Sequence, residues 1–523
     1  MPRQMRSEAA RRQHWTRANS RSVDAADSIG DEVAWLIDNS DAYEGLLEAV
    51  REARESIWIS QLAFDADCTA YTGGDGASDS NAVGHNLLDT ILQVSAERGV
   101  SVKILLNATL LLNTRRPLTR LLARRGVDSR LVEVRGISRF PQLLHAKMAI
   151  IDGRRAFLMG SPFVNGYWDT GSHAPVDQRR PLRELGGRPI HDVSAAVGGP
   201  AVDALAEIFT RLWNGDRYRA SSFQSLNRGK PAGDWGISVV TTEPRSGPDL
   251  IDPGSRDTLD ALLAGIRSAR SFIYIEHQYL SSRPVVEALR RALAQNPALE
   301  IILVLNQNPD VTAYRRWQNA RLGESGLLAH PRVGVFSLWS TSAPAPQTAV
   351  NQVFVHSKVV VIDDEWAMVG SANLDGVSLH SYGDDFSGRI ARRVFRDVRN
   401  FDVGLVVQRK LKSSRGANPV RELRRRLWSE HLGDGWDEAM ERPGKGLVCN
   451  WKALVVSNVA VLNDLPLREL CAGGSFILPY STEATPREQL ADVGVFTSAL
   501  DLQFDPGWLE VNFSPNWIRN MFL

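Results

Sequence analysis

Cysteine is scarce. The 523 residues contain three, Cys68, Cys449 and Cys471, with no close spacing. That excludes a disulfide framework and a cysteine-rich zinc module and fits a reducing compartment. An excess of one charge is also missing. Lys plus Arg total 61 against 60 for Asp plus Glu, a formal net charge of +1. A protein that coats nucleic acid carries more positive charge, unless that charge is confined to a local groove. No run of about 18 apolar residues occurs, so no transmembrane helix is expected. The best stretch, ALVVSNVAVL (453–462), is short and interrupted by polar residues. The Arg-rich start, MPRQMRSEAARRQHWTRANSR, has no apolar core behind it and reads as neither a Sec nor a twin-arginine signal. Residues 1–33 are expected to form a flexible basic leader.

What is present suffices for a globular protein. Apolar residues make up 43% and charged residues 23%, enough to bury a core. The length suits two large lobes plus an extension. Helix-like AYEGLLEAVREAR (42–54) precedes strand-like SIWISQLAF (56–64); a helix-like stretch near 83–98 then precedes VSVKILLN (100–107). The order recurs as DTLDALLAGIRSAR (257–270), SFIYIEHQYL (271–280), PVVEALRRALAQN (284–296) and LEIILVLNQN (299–308). Alternating strand and helix patterns, met twice, predict an α/β fold from an internal duplication. Two pseudo-symmetric lobes are expected, at 34–230 and 231–433, with the boundary in SLNRGKPAGD (225–234). The extension, 434–523, has no counterpart in the first half and reads as extra strands and turns.

The strongest repeat is LLHAKMAIIDGRRAFLMGS (143–161), matched by VFVHSKVVVIDDEWAMVGSAN (353–373). The His, Lys and Asp positions stand 211 residues apart and the Gly-Ser positions 210, which places one extra residue in the first turn. Each copy reads as a β-hairpin. Side chains two apart share a face, so His145 projects with Lys147 and His356 with Lys358. Folding at the turn brings Ser161 opposite His145 and Ser371 opposite His356. Asp152 and Asp363 fall at the turns, about 23 Å from the histidines at 3.3 Å per residue, and are expected to be structural.

Two imidazoles, two ammonium groups and hydroxyl or amide donors suit phosphoryl transfer. Lys147 and Lys358 can neutralise the non-bridging oxygens of a diester without a metal. One imidazole can attack phosphorus while the other protonates the leaving oxygen. Ser161, Ser371 and Asn373 are candidates for further hydrogen bonds to the phosphoryl group. Nothing in the spacing decides which histidine takes which role.

At these residues the sequence resembles the phospholipase D superfamily, whose pattern is HxKxxxxD followed by GSxN. Supporting segments are GYWDTGSHAP (166–175), IHDVSAAVGGPAV (190–202), IYIEHQYL (273–280) and RRRLWSEHLG (424–433); within the superfamily they look closer to the phosphatidylcholine-type enzymes. The resemblance implies paired α-β-α lobes with one site at their interface. It also implies ping-pong chemistry through a phosphohistidine, with His145 as nucleophile and His356 as general acid. HDV (191–193) and FDV (401–403) match, and the resemblance suggests that Asp192 and Asp402 each orient one imidazole; buried structural carboxylates are the alternative. The first copy departs from the pattern as GSPFVN. Phe163 stands where Asn373 stands in the second copy, and Asn165 is a candidate substitute.

His277 and Gln278, with Gln61 in the similar place of the first lobe, are candidate substrate-binding residues. His173, His191 and His380 show no grouping that suggests a metal; no metal and no cofactor are expected. Most tryptophans are expected in the core, with Trp15, Trp58, Trp168 and Trp235 as alternative interfacial anchors. YRRWQNARLG (314–323), a basic amphipathic stretch, is expected to be a solvated helix face, with contact to anionic headgroups as the alternative.

The expected activity is hydrolysis of phospholipids at a membrane surface to phosphatidic acid and a headgroup alcohol, with transphosphatidylation as the same chemistry on an alcohol. A cardiolipin-synthase-like phosphatidyltransferase is the enzymatic alternative, and a phosphate- or lipid-binding module on the same fold the non-enzymatic one. Nucleic acid is not an expected partner. A monomer is expected, since both half-sites lie in one chain. The expected location is cytoplasmic or membrane-peripheral, with export independent of a signal peptide as a further option.

Overall fold

A computed structural model describes residues 28–29, 32–73, 82–109, 113–138, 142–181, 187–215, 235–244, 254–309, 311–342, 348–386, 388–409, 417–433, 436, 446–464, 475–496 and 500–502. Most of the expected leader, the expected lobe boundary and the last 21 residues lie outside them.

Two mixed sheets carry the architecture, and their strand orders match. The first-lobe sheet runs Glu32–Ile37, Val193–Gly198, Arg155–Leu158, Met148–Ile151, Ser56–Ser60, Ser101–Asn107, Val132–Ile137. The second runs Trp235–Thr242, Asp402–Arg409, Trp366–Gly370, Lys358–Ile362, Phe272–His277, Glu300–Leu305, Val333–Ser342, with further strands at both edges. In each sheet the last three of these strands are parallel, and helices such as Leu87–Arg98 and Arg283–Gln295 supply the crossovers. The duplication read from the sequence is therefore a duplication of topology.

The helices Pro200–Asn214 and Pro419–Leu432 also correspond. Both start on proline, whose fixed φ and missing N–H suit the first helical turn. Their apolar faces (Val202, Leu205 and Phe209; Val420, Leu423 and Leu427) enter one cluster with residues of both sheets, such as Trp35, Met148, Val239, Tyr274 and Val361. A second cluster, with Leu46, Ile57 and Ile91, fills the outer face of the first sheet, and a third, with Leu262, Ile275 and Leu289, that of the second. The central core is thus common to both lobes, which holds their facing edges in fixed register.

Several expectations change. Ser28–Ile29 pairs with the strand Trp235–Thr242, and the first lobe's edge strand begins at Glu32, so the end of the expected leader belongs to the sheets. The extra residue of the first motif is not in the turn. Ile151 pairs with Arg155 and Ile362 with Trp366, leaving three residues in each turn. The additional residue lies where the return strand ends: Lys147 stands opposite Met159, which donates to its carbonyl, and Lys358 opposite Gly370. The segment expected to start the extra strands is the helix Leu447–Asn463. Its buried residues, Leu447, Val448, Trp451, Val455 and Leu462, recur at helical spacing and form the face that packs on the core. Ser475–Pro479 is a strand, as expected, and adds to Val333–Ser342 of the second lobe. Trp168 and Trp235 are buried, Trp58 stacks on Phe209, and Trp15 lies outside the described residues. YRRWQNARLG lies on the helix Thr312–Glu324, but Gln318 and Arg321 are buried, so it is anchored rather than solvated all round. Among the described residues no helix is long and apolar enough to cross a membrane.

Candidate active site

The turn aspartates explain their own place in the motif. Asp152 and Asp363 have φ of 51° and 54°, a conformation Asp tolerates better than most side chains. Asp152 accepts from the backbone N–H of Arg54, Glu55 and Ser56 at 2.7–2.9 Å. Asp363 does the same for Arg270, Ser271 and Phe272 at 2.6–2.9 Å. Each pins the turn to the start of the neighbouring parallel strand, at the far end of the hairpin from the histidine.

At the open ends the hairpins meet across the lobes. The His145 N–H donates to the carbonyl of Phe401 at 2.9 Å, and the His356 N–H to that of His191 at 2.8 Å. Ile190–His191 pairs in parallel with Phe354–Val355, and Leu144 with Phe401. Each histidine is therefore laid beside the residue preceding an aspartate of the opposite lobe. His145 Nδ1 lies 2.6 Å from Asp402 Oδ1, and His356 Nδ1 lies 2.8 Å from Asp192 Oδ2. All four side chains are buried.

The Gly-Ser steps complete these pairs. Ser161 Oγ donates to Asp192 Oδ2 and Ser371 Oγ to Asp402 Oδ1, the latter at 2.8 Å. Both hydroxyls expected on phosphate are thus directed to the aspartates instead. The glycines are required by close approach: a Cβ on Gly160 would collide with the Asp192 carboxylate, and one on Gly370 would lie 2.7 Å from Gly404 Cα.

Lys147 Nζ lies 3.1 Å from His145 Nε2. With the ammonium donating there, the proton of His145 sits on Nδ1, facing Asp402. Lys358 Nζ donates to Gln278 Oε1 at 3.0 Å and to the His356 carbonyl. Gln278 therefore holds an ammonium. His356 Nε2, His277 Nδ1, Asn373 Oδ1 and both amide atoms of Gln61 are buried with no hydrogen-bond partner among the described residues. The register gives Gln61 and His277 corresponding places: Ser60 pairs with Met148 in the first lobe, and His277 with Lys358, one residue further along, in the second. Such a set of unsatisfied buried atoms is the mark of a polar ligand site. Asn165 takes no part. It donates to the Asp67 carbonyl and accepts from the Thr69 N–H, both at 2.8 Å, and holds that loop, while Phe163 packs on Phe64 and Tyr43. Among the described residues the first half-site has no counterpart of Asn373; Tyr167 stacks edge-on against His356, centroids 4.8 Å apart.

Burial and then the Lys147 charge push His145 down to about 4; burial and then Lys358 push His356 down to about 3. Both imidazoles are therefore neutral at pH 7. Burial lowers Lys147 to about 8. Burial alone would raise Asp192, but His356, Lys358 and the Ser161 hydroxyl outweigh it and hold the carboxyl at about 2. At neutral pH the site then contains two neutral imidazoles, the Lys147 ammonium and the Asp192 carboxylate.

Two asparagines were missed by sequence reasoning. Asn107 bonds both backbone groups of Leu144, its Nδ2 to the carbonyl and its Oδ1 to the N–H, each at 2.9 Å. Asn306 does the same to Val355, at 2.6 and 2.8 Å. They fix the residue before each histidine. The signal was present: both repeats end a strand on Leu-Asn, at 106–107 and 305–306.

Comparison with known proteins agrees with the motifs. The family model for the cardiolipin synthase, phospholipase D-like domain matches residues 46–162 and 262–385, and that for phospholipase D matches 338–483. Phospholipase D A of Dictyostelium discoideum is 24% identical over 352 residues, 55% of this chain and 27% of that protein. Cardiolipin synthase 1 of Staphylococcus epidermidis is 24% identical over 400 residues, 72% of this chain and 69% of that protein. The match thus spans about a quarter of the first relative's length and about two thirds of the second's. Among solved structures, the phosphatidylserine synthase of Haemophilus influenzae Rd KW20 superposes with a TM-score of 0.49 at 12% identity, over 76% of this chain and 87% of that one. Two copies of one motif, on two lobes of one topology and each matched by the same domain model, have one reading: the chain belongs to the phospholipase D superfamily.

Proposed function

We propose that this chain transfers the phosphatidyl group of a phospholipid, through a phosphohistidine, to water or an alcohol. His145 Nε2 attacks phosphorus and the bond to the headgroup oxygen breaks. His356 gives that oxygen its proton, then removes one from the incoming water. Attack by the water breaks the P–N bond, releasing phosphatidic acid and regenerating His145. Lys147 and Lys358 neutralise the non-bridging oxygens, with Asn373 donating from the second half-site and Gln61 and His277 lining the pocket. No step calls on a metal or cofactor.

The observation that carries this reading is the crosswise pairing of each histidine with an aspartate of the other lobe. Each Nδ1 is occupied by a carboxylate, so Nε2 is the atom available for chemistry, and both lie with two buried ammonium groups. The similarity to a cardiolipin synthase over 72% of the chain favours a second acceptor, the hydroxyl of another lipid, on the same intermediate. Membrane contact is then peripheral, and one chain suffices because both half-sites are within it.

Product analysis separates these outcomes. Mixed phospholipid vesicles should yield phosphatidic acid and free headgroup, and added ethanol should divert part of the product to phosphatidylethanol. Cardiolipin from phosphatidylglycerol vesicles would assign the lipid acceptor. If no headgroup is released under any of these conditions, while phospholipid still binds, the chain is a binding module.

A further inference from the structure

Behind the Asp192–His356 pair lies a second buried cluster that this chemistry does not use. Asp38 and His173, both at positive φ (62° and 43°), approach His191 and Glu430, the last on the helix Pro419–Leu432. Glu430 Oε1 lies 3.0 Å from His173 Nε2 and 2.8 Å from His191 Nδ1. Asp38 Oδ1 lies 3.1 Å from His191 Nδ1, and Asp38 Oδ2 3.6 Å from His173 Nε2. The four residues' donor atoms lie within 4.8 Å of one another.

We propose that Asp38, His173, His191 and Glu430 hold a divalent transition-metal ion, zinc by ligand type, which fastens the helix Pro419–Leu432 to the first lobe. Three observations converge on a cation. The first is spacing: tetrahedral zinc with bonds of about 2.0–2.1 Å separates its donors by about 3.3–3.4 Å; one donor atom from each of the four residues lies within 4.8 Å of the others, and Glu430 Oε1 lies 2.8 and 3.0 Å from the two imidazole nitrogens. The second is that the buried His191 Nδ1, 2.8 Å from Glu430 Oε1 and 3.1 Å from Asp38 Oδ1, makes no aligned hydrogen bond with either, and the buried Asp38 Oδ2 has no hydrogen-bond partner among the described residues. The third is the outer layer. His173 Nδ1 lies 3.2 Å from Asp169, which is itself held by Arg180, and His191 Nε2 lies 2.9 Å from Glu276, which is held by Tyr274 and His431. A carboxylate on the far nitrogen of each imidazole is the usual support of a metal-bound histidine. A cleft of about 810 Å³, with Asp38, Gly171, Glu430 and Arg425 on its walls, gives access. The ion would be structural: all four ligands come from protein, and the Asp38 N–H and Asp192 carbonyl share a 2.8 Å hydrogen bond that passes its rigidity to the His356 pair.

Elemental analysis of the full chain, purified without a metal-affinity tag, tests this. About one zinc per chain is expected. Chelation should lower the melting temperature, and zinc should restore it where magnesium does not. Cobalt in its place should give the strong visible bands of a tetrahedral site. His173→Gln and Glu430→Gln should lose the metal, while His380→Ala, whose imidazole pairs with Asp384 elsewhere, should keep it. If those two variants do not fold, metal content and the cobalt spectrum of the unaltered chain decide. Substoichiometric zinc with no thermal response, or metal retained in folded His173→Gln and Glu430→Gln, would overturn the proposal and leave a network of imidazolium–carboxylate pairs.

Discussion

Asp402 lies on the second lobe yet holds His145 of the first, Oδ1 to Nδ1 at 2.6 Å, across 257 residues of sequence. Removing this charge keeps the shape of the site but releases the imidazole from its tautomer. Asp402→Asn is expected to lower kcat by about 10²–10⁴-fold with little change in KM. Asp192→Asn should match it through His356. Steady-state kinetics on vesicles give the split; a rise in KM at unchanged kcat would assign both aspartates to substrate binding instead.

Lys147 makes the reaction sensitive to alkali. Its ammonium, lowered to about 8 by burial, is the form that meets a phosphate oxygen. The profile of kcat/KM should therefore fall as pH rises through about 8. Lys147→Arg, slower at every pH because a planar fork replaces a compact ammonium, should lose that alkaline limb. An alkaline limb unchanged in this variant would assign it to another group.

The neutral imidazoles predict a proton taken up with the ligand. Burial keeps both uncharged in the free site, and a bound diester brings one negative charge beside them. A neighbouring anion favours the imidazolium form, which is the form the general acid requires. Binding of a phosphate-diester analogue at pH 7 should then draw close to one proton from the buffer. Calorimetry in buffers of different ionisation enthalpy measures this, and zero uptake would mean that the acid is already protonated in the free chain.

Asp152 and Asp363 should matter for stability and not for turnover. Asp152→Ala leaves three backbone N–H groups without their acceptor and puts alanine at φ of 51°. A loss of about 2–3 kcal/mol is expected, with kcat per folded molecule unchanged. Asp152→Asn should cost less, since asparagine accepts the same backbone and keeps one oxygen. Denaturant unfolding beside active-site titration separates the two effects; a fall in kcat at unaltered stability is the contrary result.

Much of this was legible before any coordinates. Period-two alternation and the Asp-Gly and Asp-Asp turns defined the hairpins, and their repetition at 211 residues implied the two lobes. Local periodicity says nothing about which lobe's aspartate meets which histidine, since that depends on how two separately formed sheets dock. The Ser161 and Ser371 hydroxyls were assigned to phosphate for the same reason: their acceptors, Asp192 and Asp402, lie 31 residues further on. The helix Leu447–Asn463 was misread because a short apolar run fits a buried strand and a covering helix alike. The cluster of Asp38, His173, His191 and Glu430 has no sequence spacing at all, because four separate segments bring its members together.

The central claim is that one imidazole carries the phosphatidyl group. Stopping the reaction without acid, then mapping phosphohistidine by mass spectrometry, tests it most directly. A phosphatidyl group is expected on His145, strengthened in His356→Ala under an activated substrate and absent in His145→Ala. Turnover at a near-native rate in His145→Ala, with no phosphohistidine trapped in the unaltered chain, would contradict the account.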